Sequence, residues 1–169
     1  MAYTTIDDPS AHFQTTLYSS DGGGGSISVT NGGNSDLQPD LLWIKVRNGS
    51  NDHNMFDSSR SNFGERIFPN QASQSDSVAS VSASSDGFAT GTGYGDINNT
   101  SGANNYVAWQ WKANGGTTSS LSGGDIGITT TSQANSTAKF SINTYTGTGS
   151  QSAIGHGLGV APDWIMIRN

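Results

Sequence analysis

The segment PDLLWIKVRN, residues 39 to 48, alternates its side chains with a period of two, which is the period of a β-strand. Leu42, Ile44 and Val46 share one face, and that face is wholly apolar. The opposite face carries Trp43 and turns basic toward the end of the segment. We therefore expect a strand that places its apolar face in the core and Trp43 against a neighbouring layer or a second subunit.

The segment YVAWQWKA, residues 106 to 113, shows the same alternation, and Val107, Trp109 and Trp111 fall on one face. Aromatic pairs on a half-buried strand usually fill a core, and a chain rich in small residues needs large side chains for this purpose. We expect these three residues in the core. The alternative is that the two tryptophans form a platform on which a sugar stacks.

The composition favours β-structure over helix or disorder. Of 169 residues, 23 are glycine, only 12% are charged, and Ser, Thr and Asn are abundant. These small polar residues are typical of turns and of the solvent-facing positions of strands. The sequence therefore predicts an all-β fold, an antiparallel β-sandwich.

Charge and apolar patterning argue against several classes of protein. The net charge is −6, with 13 acidic residues against 7 Lys and Arg and no basic run, so a nucleic acid backbone would find little to pair with. The chain has no cysteine, so neither a disulfide nor a thiolate metal site can form. No 18-residue apolar stretch and no basic-then-apolar leader is present, so we expect neither membrane insertion nor signal-peptide export.

The first eighteen residues carry large side chains on a segment too short to bury a core of its own. These are Tyr3, Ile6, Phe13 and Tyr18. The segment either caps the first domain or forms an arm that docks onto other proteins. We take the four residues as candidate docking residues.

Two segments near the start of the chain have counterparts near its end. PDWIMIRN, residues 162–169, aligns without gaps from Pro39 onward, and Leu42 and Ile44 of the apolar face are matched by Ile165 and Ile167. Upstream, FSINTYTGTGS at 140–150 answers FQTTLYSSDGG at 13–23, and both run from a strand pattern into a glycine turn. An ordered pair of matched segments indicates a repeat. We expect the chain to be the amino-terminal portion of a longer protein built from successive units.

This repeat divides the chain into four parts. Residues 1–18 are the amino-terminal arm, and residues 19–115 are the β-sandwich domain. Residues 116–136, rich in Gly, Ser and Thr, are interpreted as a connector or a pair of short exposed strands. Residues 137–169 are the start of a second, truncated β unit.

The residues that could carry chemistry do not form a recognisable constellation. His12, His53 and His156 lie in unrelated contexts, and none has a second His or Cys at metal-ligand spacing. The stretch GTGYGDINNTSG, residues 91–102, is rich in oxygen ligands but lacks the regular acid spacing of a calcium loop, so calcium is only a minor alternative. We expect a protein without enzymatic activity and without a cofactor.

Several stretches, taken together, carry a likeness to a known group of proteins. They are MAYTTIDDPSAHFQTTLY, PDLLWIKVRN, HNMFDSSR, SDGFATG before YVAWQWKA, and IGHGLGVAPDWIMIRN. In these stretches the chain resembles large structural proteins of tailed bacteriophages, above all marine ones, that are described as tail fibre or tail-associated proteins. The motifs are structural and say little about mechanism.

The resemblance implies a virion protein that is assembled in the host cytoplasm and released by lysis. It implies repeated β domains of the lectin-like or jelly-roll-like kind, an amino-terminal part anchored to other virion proteins, and a distal part that meets a host surface glycan or receptor. It also implies a homo-oligomer, since a trimer is the usual state of such fibres. The alternatives are a capsid decoration or head fibre protein and, from a different class, a carbohydrate-binding lectin-like module.

Overall fold

The computed structural model describes residues 6–20, 22–72, 76–77, 81–92, 95–99, 102–121 and 128–169. In these residues the chain forms three antiparallel β-sheets and two short 3₁₀ helices, Pro9–Ala11 and Ser61–Phe63. The predicted all-β antiparallel sandwich is confirmed. Neither of these two helices has the length and apolar character needed to span a bilayer.

The strands are β1 (Phe13–Ser19), β2 (Ile27–Thr30), β3 (Leu41–Val46), β4 (Asn54–Asp57), β5 (Glu65–Ile67), β6 (Asp76–Ser77), β7 (Val81–Ser84), β8 (Gly87–Thr90), β9 (Asn105–Trp111), β10 (Ser119–Leu121), β11 (Thr130–Asn135) and β12 (Phe140–Tyr145). The large sheet has the order β1-β9-β3-β4-β5-β6. The covering sheet has the order β2-β8-β7, and the small sheet has the order β10-β11-β12.

The core lies between the large sheet and the covering sheet. The covering sheet contributes Val29, Val81 and Phe88 to it. From the large sheet, β3 contributes Leu42, Ile44 and Val46, of which the first two are fully buried. Each such side chain contributes about 1.5–3 kcal/mol when removed from water. The apolar face read from the alternation of β3 is therefore the face that packs against the covering sheet.

Strand β9 turns its other face to the core. The buried set is Tyr106, Ala108 and Gln110. The set expected in the core is only half-buried, on the opposite side of the large sheet: Val107, Trp109 and Trp111. The expectation for these three residues is therefore wrong. Both faces of β9 are apolar enough to be buried, and what decides between them is the pairing of the strand with its neighbours.

The inward face of β9 accommodates one large polar side chain because partners for it are in place. Gln110 is fully buried, and its Nε2 donates to Thr16 Oγ1 at 3.1 Å and to Asn31 Oδ1. A second amide nitrogen, Asn31 Nδ2, donates to Gln110 Oε1 at 3.3 Å and to the carbonyl of Leu37 at 3.1 Å. Satisfied hydrogen bonds remove most of the cost of burying an amide.

Strand β1 is an edge strand of the large sheet and not part of a separate arm. It pairs with β9 along its whole length, from Phe13 opposite Trp111 to Ser19 opposite Asn105. The ring of Tyr18 stacks on Tyr106 at 4.8 Å inside the sandwich. Residues 13 to 18 therefore belong to the first sandwich, which corrects their assignment to an arm.

The small sheet is attached to one end of the sandwich. Two of its strands, β10 and β11, lie in the range interpreted as a connector and pair with each other. Gln133 of β11 is fully buried, and its Nε2 donates to Ser58 Oγ at 2.9 Å and to Ser59 Oγ at 2.6 Å. The backbone N–H of Gly116 donates to Gln133 Oε1 at 3.0 Å. The interpretation as a pair of short strands holds here, but β11 is not exposed throughout.

The two pairs of matched segments differ in structure. Strand β12 begins at Phe140, as β1 begins at its counterpart Phe13, so both members of this pair are strands. Residues 162–169 form no strand, although their counterpart β3 lies at the centre of the large sheet. In this segment Trp164 is 70% exposed and Ile167 is 72% exposed. The strand predicted at 162–169 is therefore absent, and no described strand pairs with this segment.

Candidate functional site

The outward side of the large sheet carries a row of apolar side chains that we call the aromatic face. It consists of Phe13, Leu17, Trp43, Val107, Trp109 and Trp111. The register of the sheet brings these side chains together, because Phe13 pairs with Trp111 and Trp43 pairs with Trp109 across adjacent strands. Directly opposed residues in a sheet are in contact range of each other. The face therefore forms a continuous surface across β1, β9 and β3.

One end of the aromatic face is built from three stacked or tilted rings. The ring centroids of Phe13 and Trp111 are 4.9 Å apart with an interplanar angle of 50°. Phe140 of the small sheet stacks on Trp111 at 6.1 Å and 24°. Phe13 is 40% exposed, and Leu17 further along β1 is 58% exposed. This end is therefore open to solvent or to a partner.

The other end is built around Trp43. Its ring meets that of Trp109 edge-on at 5.9 Å and that of His53 at 5.7 Å. The indole Nε1–H of Trp43 donates to His53 Nδ1 at 3.0 Å, so this histidine is neutral with its proton on Nε2. Burial lowers the pKa of His53, and the charge of Lys45 lowers it further. Trp43 is therefore held in one orientation by a neutral imidazole.

A polar rim borders this end, formed by residues of the loops after β3 and β5. Asn70 Oδ1 accepts from the backbone N–H of His53 at 2.9 Å, and Asn70 Nδ2 donates to Asp52 Oδ1 at 2.8 Å. Gln71 Nε2 donates to the same carboxylate oxygen at 2.6 Å. These hydrogen bonds, from Gln71 and then Asn70, lower the pKa of Asp52. The rim thus presents an ionised carboxylate and two amides beside the rings.

The aromatic face and its rim offer two kinds of binding contact. Ring faces offer dispersion contact and stacking, and the planar polar groups offer hydrogen bonds in fixed directions. Among the described residues, no group of three or more His, Cys, Asp or Glu side chains could hold a metal ion. The oxygen-rich stretch 91–102 lies partly outside the described residues. Its carboxylate, Asp96, accepts from Asn51 Nδ2 at 2.8 Å and pairs with Arg66 Nη1 at 3.3 Å.

The three histidines serve separate structural contacts. His12 Nδ1 lies 3.2 Å from Asn135 Nδ2, and His156 Nδ1 accepts from the backbone N–H of Leu158 at 3.2 Å. His53 is occupied by Trp43 as described above. The structure does not bring these residues together.

The candidate docking residues in the described part of the chain are also not brought together. Tyr3 lies outside the described residues, and Ile6 is half-buried. Phe13 faces outward, whereas Tyr18 faces inward and donates its hydroxyl to the carbonyl of Ile97 at 2.7 Å. Tyr18 is thus part of the sandwich and is not available to a partner.

The interface candidate Trp43 does lie on the side of the large sheet away from the core, as its alternation predicts. Sequence reasoning missed the rim and the ring of Phe140. Polar residues in loops give no periodic signal, and the contact of Phe140 with Trp111 joins positions far apart in the chain. The sequence signal in that loop is Pro69, directly before Asn70, since proline ends a strand pattern.

Comparison with known proteins gives one match. No curated protein and no solved structure matches this chain. The model of the family described as domain of unknown function DUF7483 matches residues 8–169. Because this match covers nearly the whole chain, the chain belongs to the DUF7483 family.

Proposed function

We propose that this chain is a non-enzymatic structural protein of a bacteriophage virion, a unit of a tail fibre, and that it uses its aromatic face as a contact surface. The observation that carries the proposal is that face, with Leu17 58% exposed and Phe13 40% exposed beside three half-buried tryptophans. Exposed apolar patches of this kind mark surfaces that bind other macromolecules. The likeness of the sequence to phage structural proteins supplies the class of partner.

The polar groups of the described residues support a structural role. Asp40 is fully buried, and its carboxylate accepts from Ser58 Oγ at 2.7 Å and from the backbone N–H groups of Ala113, Gly115 and Gly116 at 2.7, 2.9 and 2.8 Å. The hydrogen bonds of Asp40 therefore hold the end of β9 against the turn after β4. Both oxygens of this carboxylate are already engaged by donors of the chain itself.

The partners that this function requires are other copies of the chain and neighbouring virion proteins. A row of rings along an edge and a central strand can be covered by a second subunit, which fits a homo-oligomer such as a trimer. In this proposal the amino-terminal part anchors the fibre to the tail, and the distal part contacts a host surface glycan or receptor. The protein is then located in the virion.

Labelling of purified particles with antibodies against this chain tests the proposal. We expect label on the tail. Label on the head would favour a capsid decoration or head fibre protein, and particles without label would refute a virion role.

A pair of variants tests the aromatic face itself. Leu17→Lys places a charge on the face at an exposed position, so the chain should fold but no longer assemble. Ser84→Lys, at an exposed position of the covering sheet, is the matched control and should assemble normally. Equal incorporation of both variants into particles would contradict the role of the face.

A second candidate function is a carbohydrate-binding module, and a specific observation favours it. Trp43 and Trp109 lie beside a rim whose carboxylate and amides are held in fixed orientations. Ring faces stack on sugars, and planar polar groups bond to their hydroxyls. A panel of soluble oligosaccharides should then raise the melting temperature of the chain but not that of Trp43→Ala, while Leu17→Ala keeps the response. If no oligosaccharide in the panel raises the melting temperature, the carbohydrate-binding candidate is wrong.

A further inference from the structure

Strand β1 forms one edge of the large sheet and pairs with β9 on its other side. The backbone N–H of Lys112 donates to the carbonyl of His12 at 2.9 Å, and that of Ser20 donates to the carbonyl of Asn104 at 3.0 Å. Hydrogen-bonded positions alternate along an antiparallel pair, so the odd-numbered residues of β1 direct their N–H and C=O groups away from β9. Among the described residues, nothing bonds to these outward groups. The edge of β1 is therefore free to pair with another strand.

This edge lacks the features that usually prevent sheets from pairing with each other. Exposed edge strands are commonly very short, or they carry charges or proline. The opposite edge of the large sheet follows this pattern, since β6 has two residues and one of them is Asp76. Strand β1 instead has seven residues, FQTTLYS, with neither a charge nor a proline. In a chain of net charge −6, this neutral strand is a place where a second copy can approach without repulsion.

The exposed apolar side chains of the sandwich are concentrated on the same strand. Among the described residues of the large sheet and the covering sheet, the large apolar side chains that are exposed are Phe13, at 40%, and Leu17, at 58%. Thr15 lies between them on the same side of β1 and is also exposed. A strand that pairs with β1 would place a side chain opposite each of these three residues.

An open groove beside the edge leaves room for such a strand. The groove has a volume of about 480 Å³, and the residues that line it include Thr15 and Leu17 of β1 and Thr30 and Gly32 at the end of β2. A Cβ added at Gly32 would meet no atom within 4 Å. Neighbouring strands lie about 4.8 Å apart, so a strand paired with β1 would enter this groove.

We propose that this edge is a dimer interface, in which β1 pairs antiparallel with β1 of a second copy and Thr15 lies on the two-fold axis. The outward groups belong to odd-numbered residues, so odd positions must face odd positions. An axis at Thr15 sets Thr15 opposite its own copy and Phe13 opposite the partner's Leu17. Threonine pairs and aromatic–aliphatic pairs both stabilise facing strands. An axis at Thr16 would instead set Phe13 opposite the partner's Ser19.

The occupant is a second copy because the strand is complementary to itself. A two-fold interface uses the same surface on both subunits, and here each exposed apolar side chain covers the other. The two large sheets then join into one, and their aromatic faces become continuous across the axis. A strand pair is a small contact, so we expect a dissociation constant of about 10–100 µM. The inference does not depend on the proposed function.

Analytical ultracentrifugation of the purified chain tests the dimer without any other protein. Thr15→Lys sets two like charges directly opposite each other, so it should weaken the dimer at least about tenfold. Thr15→Val is the matched control, since it keeps a β-branched side chain and should keep the dimer. Thr15 is exposed, so both variants should retain the native circular dichroism spectrum.

Charge complementation tests the position of the axis. Thr15→Lys and Thr15→Glu should each be monomeric, whereas an equal mixture of the two should dimerise, because opposite charges then face each other. An axis at Thr16, or a contact through the aromatic faces, does not bring these two positions together. A second pair leaves Thr15 unchanged: Phe13→Lys mixed with Leu17→Glu should also recover the dimer.

The outcomes decide the proposal. A dimer that is kept in Thr15→Val, lost in Thr15→Lys and recovered in the mixture of Thr15→Lys with Thr15→Glu supports it. A parent chain that remains monomeric at about 500 µM overturns it. Equal dimerisation of Thr15→Lys and Thr15→Val, or mixtures that stay monomeric for both charge pairs, would also overturn it.

Discussion

The carboxylate of Asp40 allows the sharpest test of how the sandwich is held together. Its two oxygens accept from Ser58 Oγ and from three backbone N–H groups, those of Ala113, Gly115 and Gly116. The bonds tie the residue before β3 to the turn after β4 and to the chain after β9. Asp40→Ala removes all four acceptor contacts at once and leaves the donors in place.

The expected loss of stability in Asp40→Ala depends on which other acceptors each donor can bond to. The N–H of Ala113 is in a residue only 6% exposed, so it stays unpaired at a cost of about 1–3 kcal/mol. The residues Gly115 and Gly116 are exposed, and the N–H of Gly116 also bonds to Gln133 Oε1, so water and that amide replace most of what they lose. Bonds to a charged acceptor are stronger than these replacements by about 1 kcal/mol in total. We expect Asp40→Ala to lower the free energy of unfolding by about 3 kcal/mol.

Urea unfolding measures this loss as a shift of the midpoint at an unchanged slope. For a chain of this size the melting temperature should fall by about 6 to 12 °C. The matched control is Asp163→Ala, since Asp163 is the counterpart of Asp40 in the sequence repeat but is exposed, and it should change stability by less than about 0.5 kcal/mol.

An isosteric variant separates hydrogen bonding from volume. Asp40→Asn keeps the shape but points an NH₂ group at backbone N–H donors, so it should be at least as destabilising as Asp40→Ala. If Asp40→Ala lost less than about 1 kcal/mol, or Asp40→Asn were as stable as the parent, the carboxylate would not hold the fold in the way described.

Three further predictions concern the core, the aromatic face and one turn. Leu42→Ala should lower the free energy of unfolding by about 2–5 kcal/mol because the side chain is fully buried. Trp109→Ala should cost less in spite of its larger ring, because Trp109 is only half-buried. Urea midpoints compare the two variants, and equal or reversed losses would place Trp109 in the core. The pKa of His53 is lowered in the folded state, so its contribution to stability is fully present above the unfolded pKa of about 6.5 and is lost as the pH falls toward the folded pKa. The melting temperature should therefore drop over this pH range in the parent and drop less in His53→Gln. Identical pH profiles would contradict the hydrogen bond to the indole. Gly87 has a φ of +106°, and an added Cβ would lie 2.0 Å from a backbone oxygen in β2. Gly87→Ala should therefore lower the free energy of unfolding by at least about 3 kcal/mol or prevent folding, as measured by circular dichroism. A native spectrum and an unchanged midpoint would refute the close approach.

How far the sequence predicts this structure depends on how different the two faces of each strand are. On β3 one face is apolar and the other ends on Lys45, so the inward side follows from alternation alone. On β1 the pattern misleads, since Phe13 and Leu17 look like a buried face but lie outward, while Gln14 is 7% exposed. The inward polar groups of this strand are paired inside the sandwich, where Gln14 Nε2 donates to the carbonyl of Ser35 at 2.8 Å. Polar burial of that kind cannot be seen from a strand on its own.

The turn Ser61–Phe63 shows the same limit for the backbone. Its three residues have φ values of 46°, 47° and 67°, a left-handed conformation that is costly for residues other than glycine. Phe63 at its end is 1% exposed and belongs to the core cluster. The burial of this ring offsets the strain, so the conformation is imposed by packing and not by local preference.

The candidate site depends even more on long-range contacts. The rings of Trp43 and Trp109 come from strands more than sixty residues apart, and the rim beside them comes from two separate loops. The alternation of β3 placed Trp43 on the correct side of the sheet, whereas that of β9 did not show which side Trp109 occupies. That choice follows from pairing between strands, which a periodic pattern does not encode.

By itself, the sequence determined that the chain is all-β, that β3 buries Leu42, Ile44 and Val46, and that matched segments recur, because these properties follow from composition and from a period of two along one strand. Only the tertiary structure decided which face of β9 is buried, that β1 is an edge strand of the first sandwich, and that residues 116–136 contribute strands to a sheet. The physical reason is that a strand with two apolar faces has no preferred side until its neighbours are in place. The free energy of each arrangement then depends on the volumes and hydrogen bonds that those neighbours supply.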